Sequence, residues 1–220
     1  MKPTLELLNL FPVTTRQATS LEVALAEYEN TPAPQPKTFL CPLDLLKDVI
    51  DYHGCCEADS AIEEALRNSS VYQQWQKSMP WLKDVQHIHQ YQAREKSDID
   101  LYQVCDEIKT HGAFLAKDQI LFRGGSFNGM TEIEISCEPT STSLSPSVAH
   151  WHAQKSSKEI AILRIADNED VQAFVYRTKG NRGFNQEFEV LLQNNICLKM
   201  IAKFQHLNFC VIEYDVFSNR

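Results

Sequence analysis

Apolar residues recur at helical spacing through the first half of this chain and at strand spacing through the second. Over residues 1–30, Leu21, Leu25 and Tyr28 fall three and four positions apart, which predicts a mostly helical segment. Residues 31–37, Thr-Pro-Ala-Pro-Gln-Pro-Lys, end it. Their prolines fix an extended, polyproline-like path and remove amide donors, so this stretch reads as a linker. Beyond it Leu43, Leu46, Val49 and Ile50 form an apolar stripe, and Pro42 stands where the first residue of a helix tolerates proline. Ser60 and Glu63 have capping-box spacing ahead of Ala65 and Leu66. Asp98 is a candidate N-cap for a helix over 98–109, with Ile99, Tyr102, Val104, Cys105 and Ile108 near one side.

The second half alternates instead. Ile133, Ile135 and Cys137 alternate with Glu132, Glu134 and Ser136, the pattern of a half-buried strand. Residues 119–122, 159–166, 171–176, 188–192, 196–202 and 209–217 are further strand candidates. A block of helices followed by many short strands defines an α+β chain, with a helical region over 1–110 and a strand-rich region over 111–220.

Charge follows the same division. Of the formal net charge of -8, residues 1–110 contribute 10 basic and 17 acidic side chains, and residues 111–220 contribute 11 and 12. An acidic first half and a near-neutral second half argue against a generic nucleic-acid binder, which must displace counterions from phosphates with a basic surface. No stretch approaches the roughly 18 consecutive apolar residues of a membrane span. Glu6 and Asn9 interrupt the apolar run that a signal peptide needs, so a protein kept in a cytosol is expected. Cys41, Cys55, Cys56, Cys105, Cys137, Cys197 and Cys210 are odd in number and show no C-x-x-C spacing, which predicts reduced thiols. Cys137, Cys197 and Cys210 lie in apolar runs, where a thiol packs as a small hydrophobe. His53 with Cys55 and Cys56 lacks a fourth ligand at finger-like spacing, and no metal is assigned. Trp75 and Trp81 around Met79-Pro80 read as packing residues.

Three segments of the second half carry candidate chemistry. Leu121-Phe122-Arg123-Gly124-Gly125 delivers an arginine to a strand end, a planar fork of donors suited to phosphate, followed by glycines that allow close backbone approach. Ser141-Thr142-Ser143 ends a second strand, and a helix begins near Ser145-Pro146, with Val148, Ala149 and His152 spaced to face inward. Glu187-Phe188-Glu189-Val190-Leu191-Leu192 follows a glycine-containing loop; strand alternation sets Glu187 and Glu189 on one face and Phe188, Val190 and Leu192 on the other. Alone, each segment also reads as an ordinary strand end, hydroxyl-rich turn or solvated acidic face.

Together and in this order they resemble the ADP-ribosyltransferase superfamily, in its Arg–Ser–Glu class. Phe122-Arg123-Gly124 is similar to the aromatic-Arg-Gly motif, Ser141-Thr142-Ser143 to the Ser-Thr-Ser motif, and Glu187-x-Glu189 to the Glu-x-Glu motif. The likeness covers residues 115–217, and the interval from Arg123 to Ser141 is short for the toxin members. It implies a core of two packed, mostly antiparallel sheets over 111–220, and transfer of ADP-ribose from NAD to a target protein with release of nicotinamide. By the same resemblance Glu189 would stabilise the ribosyl cation and Arg123 would hold the NAD phosphates. Ser141, with Thr142 and Ser143 beside it, would orient the nicotinamide ribose, and Gly124 would offer its backbone to the nicotinamide amide. Glu187 at the first acidic position accompanies arginine as acceptor, and Phe184 in the preceding loop would contact the target. An NAD glycohydrolase, or an inactive module of the same fold that binds a partner, are the alternatives. The acidic first half carries no catalytic motif and is a candidate recognition surface. A phage-encoded or injected enzyme acting in a host cytoplasm fits the missing signal sequence.

Overall fold

The computed structural model describes residues 2–53, 57–93, 99–127, 132–166, 171–177 and 188–219. In chain order its elements are strand β1 (Val13–Thr14), helix α1 (Ser20–Tyr28), strand β2 (Thr38–Phe39), helices α2 (Pro42–Asp51), α3 (Glu57–Asn68), α4 (Ser70–Ser78), α5 (Gln86–Ala93) and α6 (Leu101–His111), then strands β3 (Ala113–Phe114), β4 (Ile120–Gly125), β5 (Ile133–Ser136) and β6 (Thr140–Ser143), helix α7 (Pro146–Gln154), and strands β7 (Glu159–Ile165), β8 (Gln172–Val175), β9 (Glu189–Leu192), β10 (Ile196–His206) and β11 (Phe209–Ser218). The α+β fold expected from periodicity is present. No helix among the described residues is long and apolar enough to cross a membrane.

β3 to β11 form one hydrogen-bonded ladder in the order β3-β8-β9-β6-β4-β7-β11-β10-β5. All pairings are antiparallel except β7 with β11. The β6–β4 junction is a single pair, Phe122 with Ser143. A four-stranded part and a five-stranded part therefore meet at one hinge point, where β4 and β6 deliver their polar ends to the same place. The main apolar cluster draws Leu45, Ile62, Trp75, Ile88 and Ile108 from the helices and Leu163, Phe174, Val190 and Tyr214 from the strands. Each such fully buried side chain contributes about 1.5–3 kcal/mol. A second cluster packs Leu46 and Ile50 of α2 with Phe122, Ala149, Ala153, Ile160 and Val211.

α2 behaves as its pattern predicts: Pro42 opens it and Leu46, Val49 and Ile50 are buried. Residues 31–37 form no helix or strand, and Thr15 and Lys37 bond across the β1–β2 pair, Thr15 N to Lys37 O at 2.9 Å and Lys37 N to Thr15 Oγ1 at 2.9 Å. Trp75 is buried and donates to the Glu6 carbonyl at 2.9 Å.

Several local expectations are corrected. The first segment is helical only over Ser20–Tyr28, and its stripe faces solvent: Leu21 is 68% and Tyr28 89% exposed, and only Ala26 is buried. The capping box belongs to Thr19 and Glu22, which exchange hydrogen bonds with each other's backbone; Ser60 lies inside α3, so it caps nothing. α6 is capped by Asp100, whose carboxylate accepts from the amides of Tyr102 and Gln103, and Asp98 lies outside the described residues. Tyr102 is exposed, while Val104, Cys105 and Ile108 are buried. On the edge strand β5 the faces are reversed. Ile133 is 55% and Ile135 49% exposed, whereas Glu134 and Ser136 turn inward. Pairing with β10 sets this register, Ile135 opposite Cys197 and Ile133 opposite Lys199, and a one-residue slip exchanges every side chain between faces. Cys137 is accordingly exposed, while Cys105 and Cys210 are buried; no disulfide joins the described cysteines.

Candidate active site

β6 and β9 run antiparallel with Ser141 opposite Leu191 and Ser143 opposite Glu189. Ser141, Ser143 and Glu189 thus share one face, and Ser141 lies diagonally across from Glu189, within reach of a long side chain. Across that diagonal the Ser141 hydroxyl donates to Glu189 Oε1. The alternate residue Thr142 points to the other face, is buried, and donates to the Val190 carbonyl at 2.6 Å. Ser143 Oγ accepts from the Ser145 amide at 2.9 Å, at the turn into α7.

β4 brings Arg123 alongside. Its Nη1 donates to the Ser141 carbonyl at 3.0 Å, and among the described residues no carboxylate lies within ion-pair distance of its guanidinium. Burial lowers the pKa of this group from its ordinary value, an effect opposed by Tyr91 and Glu134. A guanidinium keeps its proton in proteins, so the site holds a partly desolvated cation with donors beyond the one spent on Ser141. Arg123, Ser141 and Glu189, far apart in sequence, are brought together at the point where the two parts of the ladder meet.

Gly124 has a visible structural reason. A Cβ at this position would lie 1.8 Å from the Ala149 carbonyl oxygen and 2.7 Å from the Ala153 nitrogen, so the glycine lets α7 rest on β4. Ala149 and Ala153 are the buried small residues of that contact. His150 is buried against Phe209, ring centroids 4.9 Å apart, in place of the expected His152. The physical reason is helical: Pro146, Ala149, His150 and Ala153 share one face at three- and four-residue spacing.

Glu189 opens β9, and Phe188 before it has φ of +44°. Regular strand alternation therefore ends at Glu189. Phe188, Val190 and Leu192 are buried, as the pattern predicts. Glu187 and Phe184 lie outside the described residues, as do Cys55 and Cys56. Among the described residues no cluster of His, Cys, Asp or Glu has the makings of a metal site.

Two residues of the helical half reach the site without any motif to announce them. Gln92 of α5 donates from Nε2 to Glu189 Oε2 at 3.1 Å. Its neighbour Tyr91 donates from its hydroxyl to the Pro139 carbonyl at 3.1 Å, and burial raises the phenol's pKa. α5 is held in place by Glu107 of α6. That carboxylate accepts from the amides of His87 at 3.1 Å and Ile88 at 2.8 Å and lies 2.9 Å from His87 Nδ1. An anionic side chain there satisfies orphan donors at the positive end of a helix. The only sequence signal was a glutamine four residues after Ile88, on that residue's face of a polar helix.

No protein-family model matches the sequence, and no curated protein matches it. The solved structures to which the chain is similar include ADP-ribosyltransferase toxins. They include C2-I, the enzymatic component of the C2-toxin of Clostridium botulinum, at 14% identity and TM-score 0.43 over 68% of this chain. The ADP-ribosylating toxin BECa of C. perfringens, solved with NADH, is similar at 12% identity and TM-score 0.44 over 66% of this chain. The chain spans 46% of the length of each of these two. Vis of Vibrio splendidus, an ADP-ribosyltransferase, is similar at 16% identity and TM-score 0.39 over 83% of this chain and 88% of its own. At such distances, what the chain can do is decided by its own site.

Proposed function

We propose that the protein is a mono-ADP-ribosyltransferase that takes NAD as co-substrate, transfers ADP-ribose to an arginine side chain of a target protein, and releases nicotinamide. The observation that carries the reading is the Ser141 hydroxyl bound to the Glu189 carboxylate, beside a desolvated arginine with free donors. Breaking the bond from ribose to nicotinamide develops positive charge on the sugar, as in glycoside hydrolysis. A carboxylate beside that ribose stabilises the cation more than the ground state, which is what lowers the barrier. Ser141 orients Glu189 and the ribose, and Arg123 pairs with the diphosphate; Thr142, expected beside them, faces the other side of the strand and bonds the Val190 carbonyl instead. Gly124 offers its backbone to the nicotinamide amide.

The acceptor assignment rests on Glu187, with Phe184 as the contact to the target. A carboxylate accepts two hydrogen bonds from a guanidinium and holds one nitrogen for attack on the ribose carbon. As the new C–N bond forms the guanidinium loses a proton, which Glu187 accepts. Incubation of a cell lysate with labelled NAD tests the whole reading. Label should pass to protein, be released by neutral hydroxylamine, and vanish with Glu189→Ala; Glu187→Ala should lose transfer and retain some nicotinamide release. Nicotinamide release without labelled protein would make water the acceptor. Absence of both activities would refute the enzyme.

A further inference from the structure

We propose that Gln92 is a positioning residue for Glu189, so that the helical half completes the active site. The inference rests on the reading of Glu189 given above. Both oxygens of the carboxylate are held: Oε1 by Ser141 from the neighbouring strand, Oε2 by the Gln92 amide at 3.1 Å. Gln92 is 8% exposed, so its amide is largely removed from water and depends on protein partners.

The two contacts do different work. Ser141 belongs to the sheet that carries Glu189 and holds Oε1 from within it. Gln92 arrives from a separate helix and fixes the second oxygen. A neutral donor favours the ionised carboxylate without neutralising it, as stabilising a ribosyl cation requires. The anchor of α5 lies at its other end, where Glu107 accepts from the His87 and Ile88 amides. Ile88, fully buried and four residues before Gln92, fixes the rotation of the helix. Helix, cap and core contact together set where the amide sits. Positioning to within a fraction of an ångström is worth large factors in rate. On this basis the first half contributes to the chemistry as well, and its removal would cost nicotinamide release.

The test uses the full chain with Gln92→Met, which keeps length and helix propensity but removes the donor, and Gln92→Glu, which keeps polarity. Two readouts are followed: steady-state nicotinamide release, and titration of the Glu189 carboxyl by NMR on glutamate-labelled protein, assigned with Glu189→Gln. Gln92→Met should lower kcat about 10-fold with KM for NAD nearly unchanged. The Glu189 midpoint should rise by about one pH unit, because a donor to the ionised form is gone. Gln92→Glu should raise it further, since like charges disfavour double ionisation. An unmoved midpoint in both variants overturns the proposal, as does a kcat that stays at the parent value. If Gln92→Met fails to fold, Gln92→Glu decides by the same two readouts. If the parent protein releases no nicotinamide, the reading of function falls, while the midpoint still decides whether Gln92 holds Glu189.

Discussion

Gly124→Ala puts one methyl group where the backbone of a helix already is. The new Cβ would stand 1.8 Å from the Ala149 carbonyl oxygen, 2.7 Å from the Ala153 nitrogen and 2.8 Å from the Ala149 carbonyl carbon. Ordinary carbon-to-oxygen contacts are about 3.3 Å or longer, so α7 and β4 must part by roughly 1.5 Å. All three atoms belong to the main chain, so no rotamer change relieves the clash. The separation would loosen the cluster of Phe122, Ala149, Ala153, Ile160 and Leu46, and a gap of about 0.5–1 Å already forfeits a quarter to a half of each dispersion contact. Overpacking costs about 1–3 kcal/mol, and a backbone clash belongs at the upper end. For a chain of this size about 3 kcal/mol lowers Tm by roughly 6–12 °C. Circular dichroism melts and urea titrations of parent and variant measure it, the midpoint falling while the slope stays unchanged. A melting temperature within about 2 °C of the parent would refute the packing argument. Loss of NAD affinity at undiminished stability would instead make nicotinamide binding the reason for this glycine.

Ser141→Ala removes the donor to Glu189 Oε1 while leaving the backbone carbonyl that Arg123 uses. Nicotinamide release should fall about 10- to 100-fold with little change in Tm, and parallel loss of both would mean that the hydroxyl mainly holds the fold. His150 is buried beside Phe209, and burial, then the charge of His53, lowers its pKa from the ordinary value. The unfolded chain therefore binds the proton more readily, so stability is full above about pH 6.5 and falls as the solution is acidified through that value. His150→Gln should flatten the dependence of Tm on pH between about 7 and 5.5, and an unaltered slope would assign the acid sensitivity elsewhere.

Elements whose pattern matches their burial were legible. The α2 stripe met the core as its spacing required, and the runs at 159–166 and 209–217 became the paired strands β7 and β11. The motif residues Arg123, Ser141 and Glu189 were also legible, because each sits at a strand end marked by glycine, hydroxyl or acidic residues. Less of the helical half was readable. Leu21, Leu25 and Tyr28 have good helical spacing but face solvent, since periodicity says which residues share a face and not what covers it. Ile133 and Ile135 face outward for a related reason: the register with β10 decides which side of an edge strand is inside.

The sequence by itself determined the order of helices and strands, the division of charge between the halves, and the three residue types that define the candidate chemistry. These follow from local spacing and composition, which neighbouring residues settle among themselves. Only the tertiary structure decided that Arg123, Ser141 and Glu189 meet, that Gly124 serves the α7 contact, and that Gln92 reaches across 97 positions to the Glu189 carboxylate. Such contacts depend on which faces pack and in which register. One glutamine among three in a polar helix carries no local mark of the partner that satisfies it.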